Sequence, residues 1–159
     1  MSLQATDPIT DNAEVVRRGY AAFNTADIAA LTELMDDDVS WHTPGRSPIA
    51  GDYMGRDAVF GQFGRYGADT GGTFKAELKQ VFGSDNGRVV AIHHNSGERN
   101  GKRLDSDCCI VFEVKNGAMT SHHNRLVEDL MAVVREKRGA VSLVAGSDAH
   151  TLGPLARVY

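Results

Sequence analysis

FKAELKQVFGSDNGRVVAIHHNSGERNGKRLDSDCCIVFEVKNGAMTSHHNRLV, running from Phe74 to Val127, decides the fold, because it reads as consecutive strands joined by short reversals. The reversals are the Asn-Gly pairs Asn86-Gly87, Asn100-Gly101 and Asn116-Gly117, each set between runs rich in Val, Ile and Phe. Asn and Gly tolerate the positive φ that both central residues of a two-residue hairpin turn require, so the pattern predicts four antiparallel strands. Tight turns fix register by counting. Pairing Arg99 with Lys102 places His93 opposite Cys108 and Asn95 opposite Ser106, and pairing Lys115 with Ala118 places Cys108 opposite Arg125 and Ile110 opposite His123.

Because side chains alternate along a strand, one face then collects Phe74, Ala76, Leu78, Gln80, Phe82, Val89, Ala91, His93, Asn95, Leu104, Ser106, Cys108, Ile110, Phe112, Val114, Ser121, His123 and Arg125. The opposite face takes Val81, Val90, Ile92, His94, Asp105, Asp107, Cys109, Val111 and His122. The first face is apolar at one end and carries His, Cys, Ser, Asn and Arg at the other. That is the pattern of a sheet that packs helices over part of its surface and leaves a pocket over the rest. A slip of one residue at any turn exchanges the two sets downstream.

Working outward, the chain of 159 residues is one domain's worth, with 42% hydrophobic and 24% charged residues, close to globular averages. A formal charge of −4 supplies no basic surface for nucleic acid or anionic lipid, and no run approaches the length of a membrane span. Cys108 and Cys109 are neighbours on a strand and face opposite ways, which sets them poorly for a mutual disulfide and points to a reducing, cytoplasmic compartment.

Upstream, Thr10 or Asp11 can cap a helix whose Val16, Tyr20 and Phe23 share a face, ending at Asn24-Thr25. Asp27 caps a second helix with Ile28, Leu31, Leu34 and Met35 inward. The acidic run Asp36-Asp37-Asp38 reads as a solvated turn into a strand from Val39 to Thr43, on which Trp41 and Thr43 share a face and His42 points away. Pro44 to Gly55 reads as an irregular crossing connection, and a third helix follows from Arg56 to Tyr66. Beyond a domain spanning residues 1–129, an extension at 130–159 mixes helical composition, a break at Arg138-Gly139 and a strand-like run from Ala140. It could cover the pocket, reach a second subunit or be mobile.

Helices followed by an antiparallel meander define an α+β fold, with three N-terminal helices wrapped by a curved antiparallel sheet. Val90, Ile92, Cys109 and Val111 form an apolar strip on the uncovered side, which predicts a homodimer through that outer face.

Trp41-His42-Thr43-Pro44-Gly45-Arg46-Ser47-Pro48-Ile49-Ala50-Gly51-Asp52-Tyr53-Met54-Gly55, with Asp27-Ile28-Ala29-Ala30-Leu31 upstream and Val111-Phe112-Glu113-Val114-Lys115-Asn116-Gly117 downstream, resembles the SnoaL-like branch of the nuclear transport factor 2-like superfamily. The resemblance covers Asn12 to Asp129. It implies a cone-shaped barrel with a hydrophobic pocket between helices and sheet, a fold shared with ketosteroid isomerases, polyketide cyclases and scytalone dehydratase. Ketosteroid isomerase uses an Asp base and an oxyanion hole of a Tyr and a protonated Asp. Its Tyr corresponds to Tyr20 here, but Thr43 stands where its base would be, and Cys108 stands at or beside its second Asp. Steroid isomerisation by that carboxylate pair is therefore not expected.

The remaining candidates are histidines. His93 and His123, two strands apart, would lie about 9 to 10 Å from each other, so that one could take a proton from a small substrate and the other return it. The plain alternative is that both are satisfied polar residues of a half-buried surface. Cys108 could be a thiolate activated by His93, although a central-strand Cys is more often packing. Arg125 would need an anionic partner, and Trp41 reads as pocket wall. The expectation is a binder of small hydrophobic, or acidic, ligands, with Tyr20, His93 and His123 catalytic and Trp41, Thr43, Asn95, Ser106, Cys108 and Arg125 contacting substrate. It would act without cofactor or metal as an isomerase, cyclase or dehydratase on a carbonyl compound. The alternative is a non-catalytic ligand-binding or dimerisation domain of the same fold.

Overall fold

A computed structural model describes residues 8–84 and 86–123. The chain forms α1 (Pro8–Asn24), α2 (Ile28–Leu34), β1 (Met35–Thr43), β2 (Gly51–Met54), α3 (Arg56–Asp69), β3 (Lys75–Gly83), β4 (Arg88–Arg99), β5 (Lys102–Lys115) and β6 (Ala118–His123). The six strands make one sheet in the order β2-β1-β6-β5-β4-β3. Neighbours are antiparallel except β1 and β6, which run parallel. The expected α+β architecture is thus the observed one, with the core between the helices and one face of the sheet. Val16, Leu31, Val39, Val59, Val89 and Phe112 meet there, drawn from all three helices and from β1, β4 and β5.

The helices hold their places through apolar stripes and a few polar ties. Val16 is fully buried, and Tyr20 and Phe23 pack against the same cluster. At the end of α1 the Asn24 carboxamide donates to the Ala76 carbonyl at 2.8 Å and accepts from the Ala76 N–H at 3.1 Å, substituting for a strand neighbour on β3, an edge of the sheet. Asp27 caps α2 by accepting from Ala30 N–H at 3.0 Å. Ile28, expected inward, is instead 52% exposed, since the first turn of so short a helix projects past the core. The acidic run lies within β1, not before it, and stays exposed. Arg56 pairs with Asp37 and donates to the Thr32 and Met35 carbonyls, so one guanidinium ties α2, β1 and α3 together. The connection from Pro44 contains β2, which folds back on β1 with Trp41 opposite Tyr53.

Two of the three Asn-Gly reversals are the tight turns expected: φ is 51° at Asn100 and 72° at Gly101, and 51° at Asn116 and 78° at Gly117. The first is wider. Gly83 pairs with Val89, and Ser84 N–H bonds the Arg88 carbonyl across the loop. Between β4 and β5 the predicted register holds throughout, with His93 opposite Cys108 and Asn95 opposite Ser106.

Two bulges correct the face assignments elsewhere. Register shifts between Leu78 and Gln80, so Val81 turns toward the core and Phe82 is left 54% exposed, the reverse of simple alternation. A second shift between Glu113 and Val114 puts Phe112 opposite His122 and Val111 opposite His123, so the expected Ile110–His123 pair does not form. Arg125, expected opposite Cys108, and the extension at 130–159 lie outside the described residues. Among the described residues no helix is long and apolar enough to cross a membrane.

Candidate functional site

α1 lays Tyr20 over the polar end of β4, and the two are joined at that point by a short bond: Tyr20 Oη lies 2.6 Å from His93 Nδ1. His93 is 4% exposed. Burial pushes its imidazole down from the ordinary value near 6.5 to about 4, partly opposed by the Asn95 side chain and Asp107, while His94 pushes the same way as burial. Burial also drives the Tyr20 phenol well above its usual range, with Cys108 and Cys109 adding to the effect. Both groups are therefore neutral at physiological pH, and the proton between them can sit on either partner. Cys108 flanks the pair, receiving a bond from Asn95 Nδ2 at 3.2 Å. Ser106 stands opposite Asn95, a step nearer the turn.

Aromatic side chains wall this polar end. Phe112 meets Tyr20 edge-on with ring centres 6.2 Å apart, and Trp41 approaches Phe112 at 5.9 Å and Phe63 of α3 at 5.1 Å. His122 lies flat on Trp41, with centres 3.9 Å apart and planes within 4°. It is 3% exposed. His122 of β6 is therefore turned inward, and the backbone of His123 falls in register with Val111. A backbone bulge is written in no residue of the run Ala118 to His123. The only hint is that β1, its parallel neighbour, jogs at the same level, between Met35 and Ser40.

A second polar cluster was not foreseen. Gln62 of α3, 1% exposed, donates from Nε2 to Thr43 Oγ1 at 2.5 Å and to the Ile49 carbonyl at 3.1 Å. The same carbonyl accepts from Tyr53 Oη at 2.9 Å. Thr43 also adjoins the Tyr66 hydroxyl, which it stabilises in the ionised form while burial, the larger effect, raises it. Of the sequence candidates, Tyr20, His93, Asn95 and Cys108 thus gather at one pole and Thr43 at another, with Trp41 between. The signal for Gln62 was its spacing, three residues after Val59 and four before Tyr66 on the inward stripe of α3.

With this geometry in place, known proteins supply the family. A model of the SnoaL-like domain matches residues 16–122. Uncharacterized protein Rv0034 of Mycobacterium tuberculosis is 35% identical over 114 residues, covering 70% of this chain and 87% of that protein. Among solved structures, Bal32a from a soil-derived mobile gene cassette is 63% identical with a TM-score of 0.71, covering 73% of this chain and 88% of its own. An NTF2-like protein of Burkholderia xenovorans shares the fold at 18% identity and a TM-score of 0.62, over 72% of this chain and 87% of that one. So does IdmH of Streptomyces antibioticus, described as a candidate polyketide cyclase, at 18% identity and 0.58, over 70% and 88%. The chain belongs to the SnoaL-like domain family.

Proposed function

We propose that the protein takes a small hydrophobic carbonyl compound between its helices and sheet and moves a proton on it with Tyr20 and His93, as an isomerase, cyclase or dehydratase does, without a cofactor. The observation that carries this reading is the 2.6 Å contact between Tyr20 Oη and His93 Nδ1 beneath an aromatic wall. In the productive arrangement His93 Nδ1–H donates to the phenol oxygen and the phenol O–H donates to the substrate carbonyl. The bare Nε2 then removes the proton from the adjacent carbon, the C–H electron pair moves into the carbon–carbon bond, and the carbonyl becomes an enolate. As the ring becomes imidazolium its Nδ1–H turns more acidic, which strengthens the phenol as a donor just as negative charge builds on the enolate oxygen. Return of the proton from Nε2 to a different carbon completes an isomerisation; attack of the enolate on a second carbonyl closes a ring, the C=O π pair going to its oxygen, which takes the proton back from Nε2.

Chemistry of this kind suits a buried pair, because low-dielectric surroundings enlarge the attraction between the enolate and the cation made with it. The likeness of fold to a candidate polyketide cyclase is in keeping with the cyclase branch of the reading. The test is exchange of carbon-bound hydrogen for deuterium in heavy water, followed by NMR on a panel of bicyclic aromatic ketones. Wild type should accelerate exchange beside the carbonyl, and Tyr20→Phe and His93→Ala should each lower the rate by about 10²-fold or more. Exchange that proceeds equally in all three proteins would retire the proton-transfer role.

A further inference from the structure

Gln62 carries an unusual burden for a residue of an apolar helix face. Its side chain is 1% exposed, and its amide is fixed in one orientation: the Ile49 carbonyl can only accept, so the group 3.1 Å from it must be the nitrogen. Nε2 spends both hydrogens, one on Ile49 and one on Thr43 Oγ1. Oε1 is consequently turned the other way, and among the described residues no donor reaches it. A buried carboxamide oxygen left so destabilises the fold, since it gives up its hydration and gains no partner. An apolar residue of similar length would fill the position without that cost.

The setting suggests what the oxygen is for. Thr43 is two residues from Trp41 on the same face of β1, and Phe63, next to Gln62 in α3, meets Trp41 at 5.1 Å. Gln62 therefore borders the same aromatic-walled interior as Tyr20 and His93, at the end nearer β2. We infer that Gln62 Oε1 is a recognition point for a hydroxyl or N–H on the bound molecule, so that the preferred ligands are aromatic carbonyl compounds bearing a hydrogen-bond donor away from the carbonyl. The carbonyl is addressed by Tyr20 and the distant hydroxyl by Gln62. This rests on the reading of the interior as a ligand site, but it concerns selection of the ligand and not the proton transfer.

Binding can be read directly, since Trp41 is the sole tryptophan of the chain and stands beside the site. The probes are 1-tetralone, 6-hydroxy-1-tetralone and 6-methoxy-1-tetralone, titrated against the intact protein with Trp41 emission as the signal. The hydroxy ketone should bind about tenfold or more tighter than both the parent and the methoxy compound, which offers no donor. Gln62→Met, close in length and without a buried acceptor, should erase that preference, read as the ratio of the hydroxy ketone's affinity to the parent's in the same protein. Gln62→Leu, which also removes the acceptor, should likewise erase the preference and serves if Gln62→Met does not fold. A preference unchanged in a folded variant of either kind, or absent from wild type, would overturn the assignment, as would failure of all three probes to bind. Loss of deuterium exchange without loss of the preference would fault the proton-transfer reading alone, and the reverse result would fault only the recognition role.

Discussion

In the proposed chemistry His93 is the base, and its burial makes a specific statement about pH. An ordinary imidazole loses half its basic form near pH 6.5, whereas His93 is held at about 4 and keeps a bare nitrogen down to mildly acidic conditions. The profile of kcat/KM should then be flat through neutrality, with an acid limb near pH 4 and no inflection near 6.5; a limb near 6.5 would show that the working base is a different, exposed group. The raised Tyr20 phenol pushes any alkaline limb beyond the ordinary phenol range. The common face of His93, Asn95 and Cys108 was legible because Asn100-Gly101 closes a two-residue turn, from which the β4–β5 register follows by counting, and Tyr20 was legible from its helical stripe with Val16 and Phe23. His122 was not, because the turn at Asn116-Gly117 is equally tight but the ladder beyond it gains an extra residue. Gln62 shares its inward stripe with Val59 and Tyr66, yet a polar residue on an apolar face does not announce whether it is satisfied.

At the scale of elements, hairpins were the strongest signal and strand interiors the weakest. Local turn chemistry is a property of two residues, whereas a bulge is settled by how a strand fits two neighbours at once. That is why Phe82 and Val81 exchange faces although nothing in Lys75–Gly83 departs from alternation. It is also why β2 escaped notice: four residues flanked by Gly and Pro pair only because β1 offers them an edge. The wider first loop exposes a further constraint. Gly87 has φ of 81°, and a methyl group there would sit 2.7 Å from the Val114 carbonyl oxygen, on backbone that β5 holds rigidly. Gly101 has φ of 72° with nothing within 4 Å of the added carbon. Gly101→Ala should therefore cost only the backbone strain, about 1–2 kcal/mol, and Gly87→Ala at least about 1 kcal/mol more. Urea unfolding of the two variants measures the difference, and equal losses would remove the close-approach argument.

For the molecule as a whole, the interior couples function to stability, because a domain of this size keeps only about 5–15 kcal/mol in hand and still buries two neutral titratable groups in contact. The consequence for acid stability follows from the sign of the His93 shift. The unfolded chain takes up a proton on this imidazole near pH 6.5, while the folded protein resists until about 4. Between those values the unfolded state binds more protons, so stability rises with pH across the window and is lost as pH falls through it. A shift from 6.5 to about 4 corresponds to a loss of about 3 kcal/mol once the descent is complete, most of it already present at pH 4.5. The carboxylates of the surface titrate in the same range, so the contribution has to be isolated by difference. Urea unfolding at pH 7.5 and 4.5 on wild type and His93→Gln does so, because surface groups are common to both proteins and cancel. Wild type should lose about 2–3 kcal/mol more than the variant on acidification, whatever the variant's stability at pH 7.5. Equal losses in the two proteins would mean that the imidazole protonates as easily in the fold as out of it, and that His93 sits in a wetter place than its contact with Tyr20 indicates.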